Sequence, residues 1–292
     1  MRRADTTARR AIPRFSPRKH WVGIVIFVVG FAVLMYPFVS QWYYSNDIRQ
    51  TVTDFDTARE ALDEAEIARR MELARAYNDT LDPGRLTDPY SPREQEGRAE
   101  YARMLEVNEL LGHVEVPRIG QDIPVYAGTN DTVLNKGAGH LEGTSLPVGG
   151  IDTHSVVTAH RGLPTARLFT DLDKMEIGDT FYMHNAGGVL AYQVDQILTV
   201  EPHDFDPVLV QPGQDYMTLL TCTPYMINSH RLLVRGIRIP MPEGPLPDAG
   251  AVVPWDVVLP AALAALLMGA LGVRIVAVAK KRRAEKAPRR GA

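Results

Sequence analysis

The sequence predicts a mainly β domain, a small barrel or sandwich entered through helix, held between two apolar segments that each approach the length of a membrane span. Three observations predict it. Between residues 112 and 239, short runs rich in Val, Ile, Thr and aromatics alternate with Gly- and Pro-bearing breaks, the pattern of a many-stranded sheet that closes or packs to hide its edges. Residues 21–39 (WVGIVIFVVGFAVLMYPFV) hold no charge over 19 positions, enough for a hydrocarbon core about 30 Å thick, and residues 257–273 form a second apolar run. Charge is segregated as well: residues 1–20 and 280–292 each hold seven Arg or Lys against one acid, while the whole chain is −3, so residues 21–279 carry −15.

The first 20 residues read as a basic tail, followed by a membrane helix over 21–44. Arg18 and Lys19 precede the apolar run, and Trp42, Tyr43 and Tyr44 follow it, giving a cationic inner edge and an aromatic outer belt. The run is long for a signal peptide and no small-x-small cleavage site follows, so an anchor that stays in place is expected. The second membrane helix is expected over 257–279, with Arg274 reaching back toward the headgroups, and a basic tail over 280–292. The positive-inside tendency puts both ends in the cytoplasm and the acidic middle outside, a multi-pass membrane protein with an extracellular domain.

Residues 45–110 form a helical region interrupted by a loop. From 45 to 78, Ile48, Val52, Phe55, Leu62, Ile67, Met71 and Ala74 recur at three- and four-residue steps among acids and arginines, predicting one helix that packs along a stripe. Residues 80–95 carry Pro83, Pro89 and Pro92 with no period; so long an irregular stretch is a linker or a lid. A short helical piece is expected near 99–105. The β domain then occupies 111–240, with strands near 112–117, 123–126, 155–160, 180–184, 189–200, 216–221 and 232–239. Residues 241–256 are Pro-rich and form a tether to the second span.

The chain has a single cysteine, Cys222, where the apolar run 216–221 meets a turn containing Pro224. No intramolecular disulfide is possible, so an unpaired thiol on an exported domain is a candidate for reactivity. A thiol with a pKa of about 8.5 needs a base or a cation beside it to act as a nucleophile. Of eight histidines, His160 ends an apolar strand at a loop, as Cys222 does, although a turn histidine would look the same. His140 is read as structural. Arg231 opens the last strand, whose alternation points Arg231, Leu233 and Arg235 one way and Leu232 and Val234 the other. A guanidinium facing the thiol would lower its pKa and bind an oxyanion, whereas a surface cation on an edge strand would do neither.

Leu219-Leu220-Thr221-Cys222-Thr223-Pro224-Tyr225, then His230-Arg231-Leu232-Leu233-Val234-Arg235-Gly236, preceded by Thr158-Ala159-His160-Arg161-Gly162, resembles the signature of a sortase. More narrowly it is similar to the class C, pilus-assembling sortases of Gram-positive bacteria, whose motif is close to TLLTCTPYGINTHRLLVRG. The stretches 139–147 and 168–172 look like that class too, and the resemblance spans roughly 114–239. It implies a sortase-type eight-stranded β-barrel with N-terminal helices and a lid. It makes Cys222 the nucleophile, His160 the acid/base and Arg231 the cation at the oxyanion. In the class, a loop bearing Asp-Pro-aromatic lies over the site. Asp88-Pro89-Tyr90 matches it, with Asp88 paired to Arg231 and the Tyr90 ring over Cys222; Asp82-Pro83-Gly84 lacks the aromatic.

The activity implied is transpeptidation at an LPxTG-type sorting signal through a thioacyl intermediate, resolved by a lysine amine so that pilin subunits join by isopeptide bonds. The implied partners are pilins bearing such a signal and an acceptor lysine, together with the membrane, and no nucleic acid. Neither a metal nor an organic cofactor is required. Two other readings stand beside it: a sortase of another class that anchors single surface proteins to peptidoglycan, and a non-catalytic membrane-anchored binding module. The chain departs from the class at Met226, where Gly is usual, and at Ser229, where Thr is. A side chain at 226 is expected to resist a positive-φ turn and to narrow the loop beside the thiol.

Overall fold

The structure, a computed structural model, describes residues 17–81, 86, 88–90, 99–163, 165–244 and 255–286. Asp82-Pro83-Gly84, the end of the 80–95 loop, most of the 241–256 tether and much of both basic tails lie outside the described residues. The chain divides into two units, one of residues 1–39 with 255–292 and one of 40–254.

Both apolar runs are helical. Residues 21–39 fall within α1 (Pro17–Glu60), and residues 257–279 within α4 (Trp255–Lys286). Among the described residues no helix is long and apolar enough to cross a membrane, and several side chains of each run are not among those described. Among those that are, Val33, Leu34, Leu266 and Leu267 are exposed.

The stripe expected over 45–78 is present but its helix is broken. α1 ends at Glu60 and α2 (Glu64–Asn78) begins after Asp63, whose carboxylate accepts from Glu66 N at 2.7 Å. Asp63 satisfies a first-turn N–H that has no helical partner, which makes a new helix start here more favourable than a continuous one. Val52, Phe55, Met71 and Ala74 are buried, and Ile48, Leu62 and Ile67 pack partly against the same core. The piece expected near 99–105 is only a 3-10 turn, Ala99–Ala102.

The middle of the chain is a closed eight-stranded barrel. Its strands are β1 (Leu110–Val116), β2 (Gln121–Ala127), β3 (Ala138–His140), β4 (Thr153–Thr158), β5 (Thr180–Asn185), β6 (Gly188–Val200), β7 (Asp215–Thr223) and β8 (His230–Ile239), ordered β1-β2-β3-β4-β7-β8-β6-β5. Two neighbouring pairs, β2 with β3 and β4 with β7, are parallel, and the rest are antiparallel. Sequence reading found seven of the eight. β3 has only three residues and two of its positions are Gly139 and His140, so no alternating period marks it. α3 (Asp131–Leu134), capped by Asn130, turns the chain into it.

The alternation of β7 and β8 splits their side chains between two cores. Met217, Leu219, Leu232 and Val234 join the main core, while Leu220 and Leu233 join a small cluster with Leu141, Val156 and Val208. Cys222 lies two residues beyond Leu220 and Arg231 two before Leu233, so both project to the face of the small cluster. Gly236 is required on β8, because a Cβ there would come within 2.6 Å of the Phe181 ring.

Candidate active site

Cys222 and Arg231 are direct partners across the antiparallel β7–β8 ladder. Side chains at such positions leave the sheet on the same side with Cβ atoms about 5 Å apart, so the register alone brings a guanidinium to the thiol. Parallel pairing of β4 with β7 brings the histidine. The last register pair is Thr158 with Leu220, Ala159 N still donates to Leu220 O at 3.2 Å, and two residues further on each strand stand His160 and Cys222. Thr221 Oγ1 donates to Ala159 O at 2.7 Å and closes this end of the sheet. His160 itself falls just past the strand, which ends at Thr158 rather than running to 160.

Residues 86 and 88–90 cover the site. Asp88 takes Arg231 in a two-pronged ion pair, and the remaining Arg231 nitrogen, Nη1, donates to Asn228 O and His230 O, both at 3.0 Å. The Tyr90 ring lies under the Arg231 guanidinium at 4.9 Å and against the His160 ring at 5.7 Å. Its hydroxyl donates to Ala159 O at 2.8 Å and lies 2.9 Å from Thr158 Oγ1. Leu86 packs on the small apolar cluster, and a groove remains between Pro89, Leu141, Phe205, Leu220 and the Asp88–Arg231 pair.

The electrostatics of this arrangement disfavour an ionised thiol. Burial pushes the Cys222 thiol up from its usual range; Arg231 and the Tyr90 hydroxyl act against that, and Asp88 adds to it. Burial pushes His160 below the usual histidine range, opposed by the charge of Asp131. A raised thiol and a lowered imidazole hold the covered pair as thiol and neutral ring. Burial acts against the charge on Arg231, but the hydrogen bonds to Asp88 and the neighbouring negative groups outweigh it and raise its pKa, so Arg231 stays charged.

The family model described as "Sortase domain" matches residues 114–239. The chain is similar to the crystal structure of sortase C-1 from Streptococcus pneumoniae, at 61% identity and a TM-score of 0.65, over 66% of this chain and all of that one. It is also similar to the pilus-related sortase C of Group B Streptococcus, at 57% identity and a TM-score of 0.63, over 65% of this chain and 97% of that one. The chain belongs to the class C sortases. Sortase A of Bacillus anthracis is a more distant relative, 23% identical over 216 residues that make up 74% of this chain and 91% of that one. Sortases are cysteine transpeptidases, and this sortase has one cysteine to offer.

His140 is buried within this sortase and tied by Nδ1 to the Tyr101 hydroxyl at 2.8 Å and by Nε2 to Ser145 O at 2.8 Å, with burial holding its pKa at about 4. Both ring nitrogens are engaged in bracing the 140–146 loop. Met226 departs from expectation in the opposite sense to the one its side chain suggests. It adopts φ 66 and Asn228 φ 60, so the left-handed turn is kept despite the Cβ that disfavours it, with the Met226 side chain 70% exposed. Asp131 and Arg161 were not singled out from sequence. Asp131 carries only the signal of a capped helix start after Asn130, and Arg161 only its place next to His160. Among the described residues no group of three His, Cys, Asp or Glu is disposed to hold a metal ion.

Proposed function

We propose that this sortase polymerises pilins, with Cys222 as nucleophile, His160 as acid/base, Arg231 as the cation at the oxyanion and Asp88-Pro89-Tyr90 as a lid over them. The observation that carries the reading is the β7–β8 register pair of Cys222 with Arg231, the latter sequestered by Asp88. As long as that ion pair stands, four of the five guanidinium N–H donors are engaged, two of them by Asp88. Departure of Asp88 frees two N–H donors, removes the carboxylate that raises the thiol's pKa and admits water, all of which favour the thiolate.

His160 then takes the Cys222 proton. Sγ attacks the threonine carbonyl carbon of an LPxTG-type signal, and Arg231 with backbone amides receives the negative charge on oxygen. The His160 imidazolium gives its proton to the glycine nitrogen as the Thr–Gly bond breaks, leaving a thioester. A lysine Nζ of another subunit attacks that thioester, its proton passing to His160, and Cys222 leaves as the isopeptide bond forms. The likeness to a pilus-related sortase C supports pilins as the substrate.

The domain layout goes with this reading: tails 1–20 and 280–292 in the cytoplasm, spans 21–44 and 257–279, a helical region 45–110 with its lid loop, the catalytic barrel 111–240 outside, and the tether 241–256. The uncharged run of 19 residues, the segregated charge and the exposed apolar side chains of both helices support two spans.

The test is to incubate the full chain with purified pilin carrying its sorting signal and, separately, with a sorting-signal peptide plus a peptidoglycan-precursor amine. A ladder of pilin oligomers that Cys222→Ala abolishes is expected. Efficient transfer to the precursor amine with no ladder would replace pilin polymerisation with wall anchoring. Cleavage by Cys222→Ala at the wild-type rate would remove the mechanism.

A further inference from the structure

His160 and Cys222 both stand beyond the last backbone pair of β4 with β7, so backbone hydrogen bonding no longer sets the distance between them. The tie from Thr221 Oγ1 to Ala159 O lies one residue before each of them. A second tie lies one residue after each: Arg161 Nη1 donates to Thr223 Oγ1 at 3.0 Å. The pair is therefore bracketed by two rungs made through side chains.

Arg161 is built for this place. Its side chain is 7% accessible, and each of its three nitrogens has a partner: Nη1 the Thr223 hydroxyl, Nε the Thr170 carbonyl at 3.1 Å, and Nη2 Asp173 Oδ2 at 2.7 Å. The surrounding backbone returns on itself, with Phe169 N donating to His160 O at 3.3 Å and Gly162 N to Thr170 Oγ1 at 3.2 Å. Gly162 has φ +88, and a Cβ there would meet the Tyr225 ring at 2.9 Å, so the same turn also packs closely on the segment after Cys222. The charge of Arg161 is itself paired with Asp173 at 2.7 Å. Arg161 is thus placed to act by geometry.

We propose that Arg161 is a positioning residue for transpeptidation: by joining the residue after His160 to the residue after Cys222, and both to the 169–173 segment, it fixes the separation of acid/base and nucleophile. The proposal rests on the roles assigned above to Cys222 and His160. A planar guanidinium can direct donors to a hydroxyl, a carbonyl and a carboxylate in three directions at once, which a lysine ammonium on a flexible stem does not reproduce. Misplacement of a reacting group by about 1 Å lowers rates on the order of 100-fold, so the rung is expected to show in kcat.

The experiment compares the full chain with Arg161→Gln, Arg161→Lys, Thr223→Val and the Arg161→Gln/Thr223→Val double variant, in cleavage of a sorting-signal peptide and in thermal unfolding. Thr223→Val removes the rung from its other end without touching the arginine's remaining partners, and so decides the matter even where Arg161→Gln folds poorly. The expected result is a kcat lowered about 10- to 100-fold in Arg161→Gln, less in Thr223→Val, with KM within about 3-fold of wild type. Arg161→Lys recovers only part of the loss, and the double variant is little worse than Arg161→Gln, as for two ends of one contact. Wild-type kcat in Thr223→Val, or losses that multiply in the double variant, would overturn the proposal. Cys222→Ala and His160→Ala run alongside: if either cleaves normally, the assignment of the site fails, whereas if both are dead and the rung variants are normal, only the role of Arg161 fails.

Discussion

Asp88 Oδ1 accepts from Arg231 Nε at 2.8 Å and Oδ2 from Nη2 at 2.7 Å, across 143 positions of sequence and with side chains only 6% and 8% exposed. So well-matched a buried pair is expensive to break from one side, because the abandoned charge keeps its burial and loses its partner.

Asp88→Asn keeps the shape and removes the charge. Because the Asp88 carboxylate pushes the Cys222 pKa up, the variant's thiol titrates at lower pH. Alkylation of Cys222 by iodoacetamide at pH 7 is expected to run several-fold faster than in wild type, with the midpoint of its pH profile displaced downward. An unchanged profile would show that Asp88 does not govern the thiol.

Arg231→Lys retains a cation opposite Cys222 but loses the fork that spans Asp88 and two carbonyls. Removal of one oxyanion donor lowers kcat on the order of 100- to 1,000-fold, and steady-state cleavage of a sorting-signal peptide should fall within that range. A loss below 10-fold would place the oxyanion elsewhere.

Met226→Gly relieves a left-handed residue whose exposed side chain gives little packing in return. The gain is expected to be about 0.5–1 kcal/mol, since the left-handed conformation costs a non-glycine residue roughly 1–2 kcal/mol and glycine loses part of that to chain entropy. Thermal melting should show a rise of a few degrees, and a fall would mean that the side chain is held by something other than the turn.

His113 supplies a pH dependence outside the active site. Its Nδ1 is 2.6 Å from Asp122 Oδ1, its Nε2 is 3.4 Å from Asp56 Oδ1, and its ring stacks on His184 at 4.1 Å. Burial pulls its pKa down, but Asp122 and Asp56 outweigh that and hold it at about 9 against 6.5 for a free histidine. A pKa raised in the folded state stabilises fully below the unfolded value and is lost as pH rises through the folded one. The melting temperature is therefore expected to decline between about pH 7 and pH 9, by up to the order of 3 kcal/mol in stability. His113→Gln should flatten that decline, and an equal slope in wild type and variant would exclude His113 as its source.

The stretch from 216 to 239 was the most legible in the sequence, because strand alternation and the two faces of β8 follow from a period of two. That alternation sets Arg231 with Leu233 and against Leu232, and the small cluster has Leu233 without Leu232. The approach of Asp88 and Tyr90 was legible only through likeness to a family, since nothing in an irregular Pro-bearing loop says where it lands. β3 escaped notice because three residues cannot display a period, and the break at 61–63 because an apolar stripe continues across two helices as readily as along one. Met226 misled because steric preference forecasts which residue is comfortable in a turn, and not which turn the ladder on either side compels.

Asn78 and Tyr101 stand on either side of the covering segment. Asn78 exchanges both amide functions with the backbone of Leu146, at 2.7 and 3.2 Å, and Tyr101 bonds to His140 six positions earlier in the same loop. Asn78 and Tyr101 are thus fastened to one footing on the barrel, the stretch from His140 to Leu146. A different sequence grafted between positions 78 and 101 is therefore expected to leave the β4–β7–β8 register in place, as amide exchange of those strands would show.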